Sequence, residues 1–301
     1  MTPFVRKEDR MNSTARRLFI LSLIPVLLTG CSKKQTQEAE EPTPPAEETT
    51  APAVEEPAPA PAETGTPTPE PEPEPTPFDM ASVKWIVIGD SLTDKTMAAQ
   101  ISYYDFVQKD FQCEVVNFGR SSTGYMIAPD YETFYQRIDL IDFTDADVVT
   151  IFGSFNDLGR GFEFGTAEDE GTDTIGGCMN TTIEKIREKA PDIRIGIATP
   201  TPWNLGEGYD SIKNEVVNWD VSQEDCDRYV SLLMEVAARH GVPILDLYHA
   251  GLFDPNSDTD RAQYFNENGI QDPGIHPNSM GHYLMAPLWK DFLLGLLGQK
   301  G

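Results

Sequence analysis

A serine hydroxyl becomes a useful nucleophile when it is held at an accessible turn, a base can take its proton, and donors await the negative charge its attack creates. Ser91 is the candidate. Residues 83–88, read as VKWIVI, are apolar or β-branched but for one lysine, and they stop abruptly at Gly89-Asp90-Ser91. This pattern predicts a buried strand that delivers Ser91 to a tight turn. Taken alone, Asp90 and Ser91 serve equally well as helix caps. Gly119 and Asn156 each follow another strand-like run, over 113–118 and 147–152.

The elements that must position these residues alternate along the chain. Strands are expected over 83–88, 113–118, 147–152, 193–198 and 243–247, and helices over 97–109, 131–138, 182–189, 223–240 and 279–297. Strands alternating with helical crossovers imply an α/β fold with a parallel sheet. Ile101, Tyr104, Phe106 and Val107 in the first helix, and Leu284, Leu288, Phe292, Leu293 and Leu296 in the last, recur at helical spacing and predict core-facing stripes. Residues 80–301 are enough for one core and are read as one domain. In such sheets ligands bind beyond the carboxyl ends of the strands, beside the point where strand order reverses. Ser91, Gly119 and Asn156 are all expected at that edge.

Four blocks in this order, Gly89-Asp90-Ser91-Leu92, Asn117-Phe118-Gly119, Gly153-Ser154-Phe155-Asn156-Asp157 and His276-Pro277-Asn278, resemble the motif blocks of the SGNH/GDSL hydrolases. The resemblance covers residues 83–298. It implies a three-layer α/β/α sandwich around a five-stranded parallel sheet of flavodoxin-like order, and serine esterase chemistry without a cofactor. It further implies Ser91 as nucleophile and His276 as general base. The oxyanion donors it implies are the backbone N–H groups of Ser91 and Gly119 and the side-chain amide of Asn156. A histidine, with an unperturbed pKa near 6.5, suits proton transfer at neutral pH. The chain has four histidines, and His240, His249 and His282 all have ordinary structural readings. Asp157 is expected to brace its loop.

One feature departs from the family pattern. The orienting aspartate of the family lies three residues before the histidine, where this chain has Pro273. Asp272 lies four before. Either the Pro273-Gly274 turn absorbs the extra residue and Asp272 completes a triad, or a backbone carbonyl orients His276 in a Ser-His dyad.

For the substrate, Tyr125, Phe155 and Trp203, together with Phe162, Phe164 and Trp219, are candidate aromatics around the site, and aromatic faces suit sugar rings. The expectation is a short-chain, acetyl ester on a carbohydrate. The alternatives are a lipase or thioesterase for longer acyl chains, and a non-catalytic glycan-binding lipoprotein on the same fold. No metal site is expected. Asp254, Asp258 and Asp260 lack the remaining positions of a calcium loop and read as an acidic surface turn.

The N-terminal quarter has a different character. Arg16 and Arg17 precede an eleven-residue apolar run over 18–28, too short to span a bilayer comfortably. The run ends in Leu28-Thr29-Gly30-Cys31, which resembles a bacterial lipobox. Residues 1–31 are therefore read as a lipoprotein signal peptide with Cys31 as the lipidated residue, and the protein is expected outside the cytoplasm on a membrane anchor. Residues 32–79 are rich in Pro, Glu, Thr and Ala and are expected to form a disordered tether, spanning roughly 40 Å if coiled and 130 Å if extended. Acidic residues dominate both the tether and the part that follows, and the formal net charge is −26. Such a field repels nucleic acid and other polyanions. Cys113, Cys178 and Cys226 read as ordinary thiols rather than a disulfide framework. A monomer is the expected state.

Overall fold

The computed structural model describes residues 79–94, 99–127, 132–204, 221–269 and 271–298. All belong to one of the two compact units into which the chain divides, Pro71–Gly301; the other, Met1–Glu70, lies outside the described residues, as do Cys31, Tyr131 and Trp219.

Five parallel strands, β1 (Lys84–Gly89), β2 (Glu114–Gly119), β3 (Val148–Phe152), β4 (Arg194–Ala198) and β5 (Ile244–Leu245), form one sheet in the order β2-β1-β3-β4-β5. The chain moves outward from β1 to β2 and then crosses back over β1 to reach β3, so strand order reverses between β1 and β3. Six α-helices connect and cover the strands: α1 (Tyr103–Phe111), α2 (Phe134–Arg137), α3 (Ile175–Lys189), α4 (Gln223–Arg239), α5 (Asp258–Tyr264) and α6 (Ser279–Gly298).

The alternation of side chains along β1 explains the layering. Ile86 and Ile88 face a core shared with α2, α3 and α4, through Phe134, Ile183, Ile186, Tyr229 and Leu233. Trp85 and Val87 face the opposite core, shared with α1 and α6 through Tyr103, Val107, Trp289 and Leu293. The expected three-layer sandwich is thus formed, with helices on both faces. The α1/α6 side is aromatic: Tyr103 stacks on Trp289 with ring centroids 4.5 Å apart, and Trp85 and Phe152 pack beside them. Trp85 Nε1 donates to Thr150 Oγ1 at 2.8 Å, so this ring is buried without an orphaned donor.

Three helical boundaries differ from expectation. Helix α1 starts at Tyr103 rather than at residue 97, because the Asp105 carboxylate accepts the Ser102 N–H at 2.8 Å and closes the helix start there. Helix α3 starts seven residues early, at Ile175, capped by Thr174 Oγ1 accepting the Gly177 N–H. Its first turns hold two glycines and a buried asparagine, Asn180, whose amide donates to the carbonyls of Ala167 and Asp169; packing overrides weak propensity. The acidic turn at residues 254–260 leads into α5, with Asp260 accepting the Asp254 N–H and Asp258 pairing with Arg261.

His282 on α6 is buried in this layer. Its Nδ1 accepts the Tyr103 N–H at 3.1 Å, and its ring stacks on Tyr103. Burial, with a smaller contribution from His276, pushes its pKa down to about 3. The unfolded chain then binds a proton that the folded chain refuses between pH about 6.5 and 3, so acid favours unfolding there by up to about 1.4 kcal/mol per pH unit. We expect His282→Asn, which keeps an acceptor for the Tyr103 N–H, to have a Tm that falls less steeply than wild type below pH 6.5. The two curves should run parallel above pH 7.5. Parallel melting curves across the whole range would contradict this assignment.

Candidate active site

Strand register aligns the ends from which the site is built. Gly89 pairs with Gly119 on one side and Phe152 on the other. A Cβ on Gly89 would lie 2.2 Å from Thr93 Oγ1 and 2.5 Å from the Phe152 carbonyl, so only glycine lets the chain turn this tightly. The Asp90 carbonyl accepts the N–H groups of Thr93 and Asp94, closing the turn that presents Ser91.

Beneath Ser91 the Asp90 side chain is fully buried. Its Oδ1 accepts the Leu92 N–H at 2.9 Å. Its Oδ2 accepts the Ser154 N–H at 2.6 Å, the Ser154 hydroxyl at 2.5 Å and the Asn156 amide at 2.9 Å. Burial pushes its pKa up, against these hydrogen bonds and the charge of His276. The buried Arg137 guanidinium lies in the same network. It donates to the carbonyls of Gly89 (2.9 Å) and Phe118 and to Thr123 Oγ1 (3.0 Å), tying the ends of β1 and β2 to the loop after β2. Burial lowers its pKa to about 10, with Asp90 acting in the opposite direction.

The structure brings Ser91, His276 and Asp272 together. His276 Nε2 lies 3.0 Å from Ser91 Oγ, and His276 Nδ1 lies 2.7 Å from Asp272 Oδ2. The extra residue between Asp272 and His276 is taken up by a turn in which Gly274 has φ +105°, a conformation open to glycine. The other carboxylate oxygen, Oδ1, accepts the N–H groups of Gly274 (2.9 Å), Ile275 (2.6 Å) and His276 (3.1 Å). Burial raises the pKa of Asp272, but the hydrogen bond and charge of His276 and these backbone donors outweigh it and hold the carboxyl below its usual range. A backbone carbonyl is not needed to orient His276, because the carboxylate occupies that position.

The two other expected oxyanion donors are engaged. Both N–H groups of the Asn156 amide are taken, by Asp90 Oδ2 and by the Thr123 carbonyl at 2.9 Å. The Gly119 N–H donates to Asn117 Oδ1 at 2.6 Å. Among the described residues the Ser91 N–H has no acceptor. Gly119 also packs against backbone, since a Cβ there would lie 2.6 Å from the Thr93 carbonyl carbon.

The aromatic residues expected around the substrate are corrected by their burial. Tyr125 packs on Phe134, and Phe155 packs on Trp203, Tyr229 and Tyr248; all three candidates, Tyr125, Phe155 and Trp203, are at most 4% exposed. Their faces are spent on one another, because aromatic area this large is worth more inside the core. Asp157 braces two loops: its carboxylate accepts the N–H groups of Tyr125 and Met126 and the Tyr229 hydroxyl. His240 bonds Asn180, and His249 pairs with Asp246 at the surface. Ser154 and Arg137 escaped the sequence reading. Ser154 lies inside a recognised block but without a spacing that signals its partner, and Arg137 looks like any basic residue at a helix end.

Asp90 makes a sharp test of this network. In Asp90→Asn one end of the side chain becomes a donor, which must face either Leu92 N–H or the Ser154 and Asn156 donors. A buried donor–donor clash costs about 1–3 kcal/mol, so thermal melts should show Tm lowered by roughly 3–10 °C, with esterase activity reduced as well. An unchanged Tm would mean that the carboxylate does not organise these loops.

The GDSL-like Lipase/Acylhydrolase family model matches residues 87–284, from within β1 to within α6. No curated protein matches the chain in sequence. Among solved structures, one from Lactobacillus plantarum is 23% identical, with a TM-score of 0.58 over 70% of this chain and 96% of that one. A possible lipase from Chitinophaga pinensis is 21% identical, with a TM-score of 0.53 over 71% of this chain and 99% of its own. The aryl esterase of M. smegmatis is 15% identical, with a TM-score of 0.50 over 71% and 100%. At these identities the solved structures show a shared fold. The family match spans more than half of the chain and includes every block around Ser91, Asn156 and His276, and on that basis the chain belongs to the GDSL-like lipase/acylhydrolase family of ester-hydrolysing enzymes.

Proposed function

We propose that this hydrolase is a surface-tethered esterase that removes short acyl groups, acetyl foremost, from a neutral carbohydrate. The observation that carries the catalytic part is the hydrogen-bonded chain Ser91–His276–Asp272, with contacts of 3.0 and 2.7 Å, at the edge where strand order reverses.

In this mechanism His276 Nε2 takes the Ser91 proton as Oγ attacks the ester carbonyl, and Asp272 holds Nδ1–H so that Nε2 is the free base. The Ser91 N–H stabilises the oxyanion. A second donor, from Asn156 or Gly119, has to leave its present acceptor to join it. His276 then protonates the leaving alcohol, the acyl group stays on Ser91, and water activated by the same imidazole completes hydrolysis.

Two sequence features support the finer reading. The acidic charge disfavours nucleic acid, phospholipid headgroups and other anionic substrates. The lipobox-like segment ending in Cys31 and the Pro/Glu/Thr-rich residues after it suit an enzyme held at the cell surface and able to reach polymers nearby. Tyr125, Phe155 and Trp203 do not contribute sugar-facing rings, so this support rests on charge and tethering. A second reading, a longer acyl chain, is favoured by exposed Ile101, Met280 and Tyr283, which are 45–55% exposed beside the start of α6.

An ester series from p-nitrophenyl acetate to palmitate, with acetylated xylan alongside, separates the two. We expect kcat/KM to be greatest for acetyl and to fall with chain length, and Ser91→Ala to lose on the order of 10³-fold or more in kcat. A maximum at long chains would sink the deacetylase proposal in favour of a lipase. For the tether, Cys31→Ser should shift the protein from the membrane fraction to the soluble fraction of the producing bacterium; unchanged fractionation would argue against a lipid anchor.

A further inference from the structure

The turn that lets Asp272 reach His276 across four residues has a cost of its own. It points the N–H groups of Gly274, Ile275 and His276 inward to one carboxylate oxygen. The carbonyls of Pro273 and Gly274 are thereby turned away from Asp272 and need donors elsewhere. Both find them in one residue. Asn204, on the loop after β4, donates its side-chain amide to the Pro273 carbonyl at 2.7 Å and its backbone N–H to the Gly274 carbonyl at 3.0 Å. The fit leaves little slack, because a Cβ on Gly274 would lie 2.8 Å from Asn204 Cβ and 2.9 Å from the Pro255 carbonyl.

We infer that Asn204 is a positioning residue for the reaction: by holding the Pro273-Gly274 turn it sets the distance and direction of the Asp272 carboxylate relative to His276. The inference rests on the proposal that Asp272 orients His276. It explains how a chain with one residue too many between aspartate and histidine still forms a short Asp272–His276 contact. Asn204 reaches neither Ser91 nor His276 directly and acts through the turn.

The test uses the full-length protein and p-nitrophenyl acetate. Asn204→Asp keeps the shape but replaces the amide donor with an acceptor facing the Pro273 carbonyl, Asn204→Ala removes the side chain, and Asn204→Ser restores a donor. We expect Asn204→Asp and Asn204→Ala to lower kcat about tenfold, the scale of one lost hydrogen bond or slightly more, with KM within about twofold of wild type. Asn204→Ser should recover part of the loss. The acid limb of the kcat/KM profile should move to lower pH in the impaired variants, because an imidazolium that loses contact with its carboxylate is less stabilised. Asp90, below the Ser91 turn, and His282, on α6, also feel the charge of His276, and neither is altered in these variants. Wild-type kcat in Asn204→Asp would overturn the inference. So would a loss of kcat that follows Tm while the acid limb stays in place, which is the mark of a merely structural residue. Asp272→Asn run in parallel separates the two levels. If it is inactive while the Asn204 variants are normal, the inference alone fails; if it turns over like wild type, the orienting role of Asp272 fails and the inference with it.

Discussion

A single buried carboxylate holds this site together. Asp90 gathers donors from its own turn, from the start of the loop after β3 and from Asn156, and without it the ends of β1 and β3 would have no common acceptor. Burying a charge is expensive unless every lone pair is used, and here the same donors that satisfy the carboxylate fix the residues around the nucleophile. Arg137 extends the network to β2 by taking the carbonyls at the ends of both outer strands of that trio. The serine is thus presented by a lattice of polar contacts that is rigid because it is buried.

The histidine side is built on a different principle. No sheet strand carries His276; it hangs from a turn just before α6, and its orientation comes from one carboxylate that is itself clamped by three backbone N–H groups. A turn of this kind is adjustable in length as long as its outward carbonyls are met, which accounts for a spacing that departs from the related blocks.

Strands and layers were legible because β1 and β3 are buried on both faces and read as continuous apolar runs, and because each run stops at a glycine or a polar turn. The helix starts at Tyr103 and Ile175 were less so, since a capping contact and tertiary packing decided them over local propensity. For the site, Ser91, His276 and Asp272 were legible from residue type and order. Asn204, Arg137 and Ser154 were not, because a residue that works by donating to a distant carbonyl or carboxylate leaves no periodic signal. The aromatics misled for a related reason: Tyr125, Phe155 and Trp203 have a chemistry that suits both a sugar platform and a core, and only burial distinguishes the two.

The Ser91–His276 contact joins residues 185 positions apart, and the helix that follows His276 is secured by His282 accepting the Tyr103 N–H across 179. Nucleophile and base therefore come from opposite ends of the folded part, and their meeting waits on the docking of α6 against α1. A chain still being made, or truncated before residue 276, holds a serine with no base and is chemically silent. Hydrolysis begins only when the last helix closes the sandwich, so the fold itself times the onset of activity to the completion of the polypeptide.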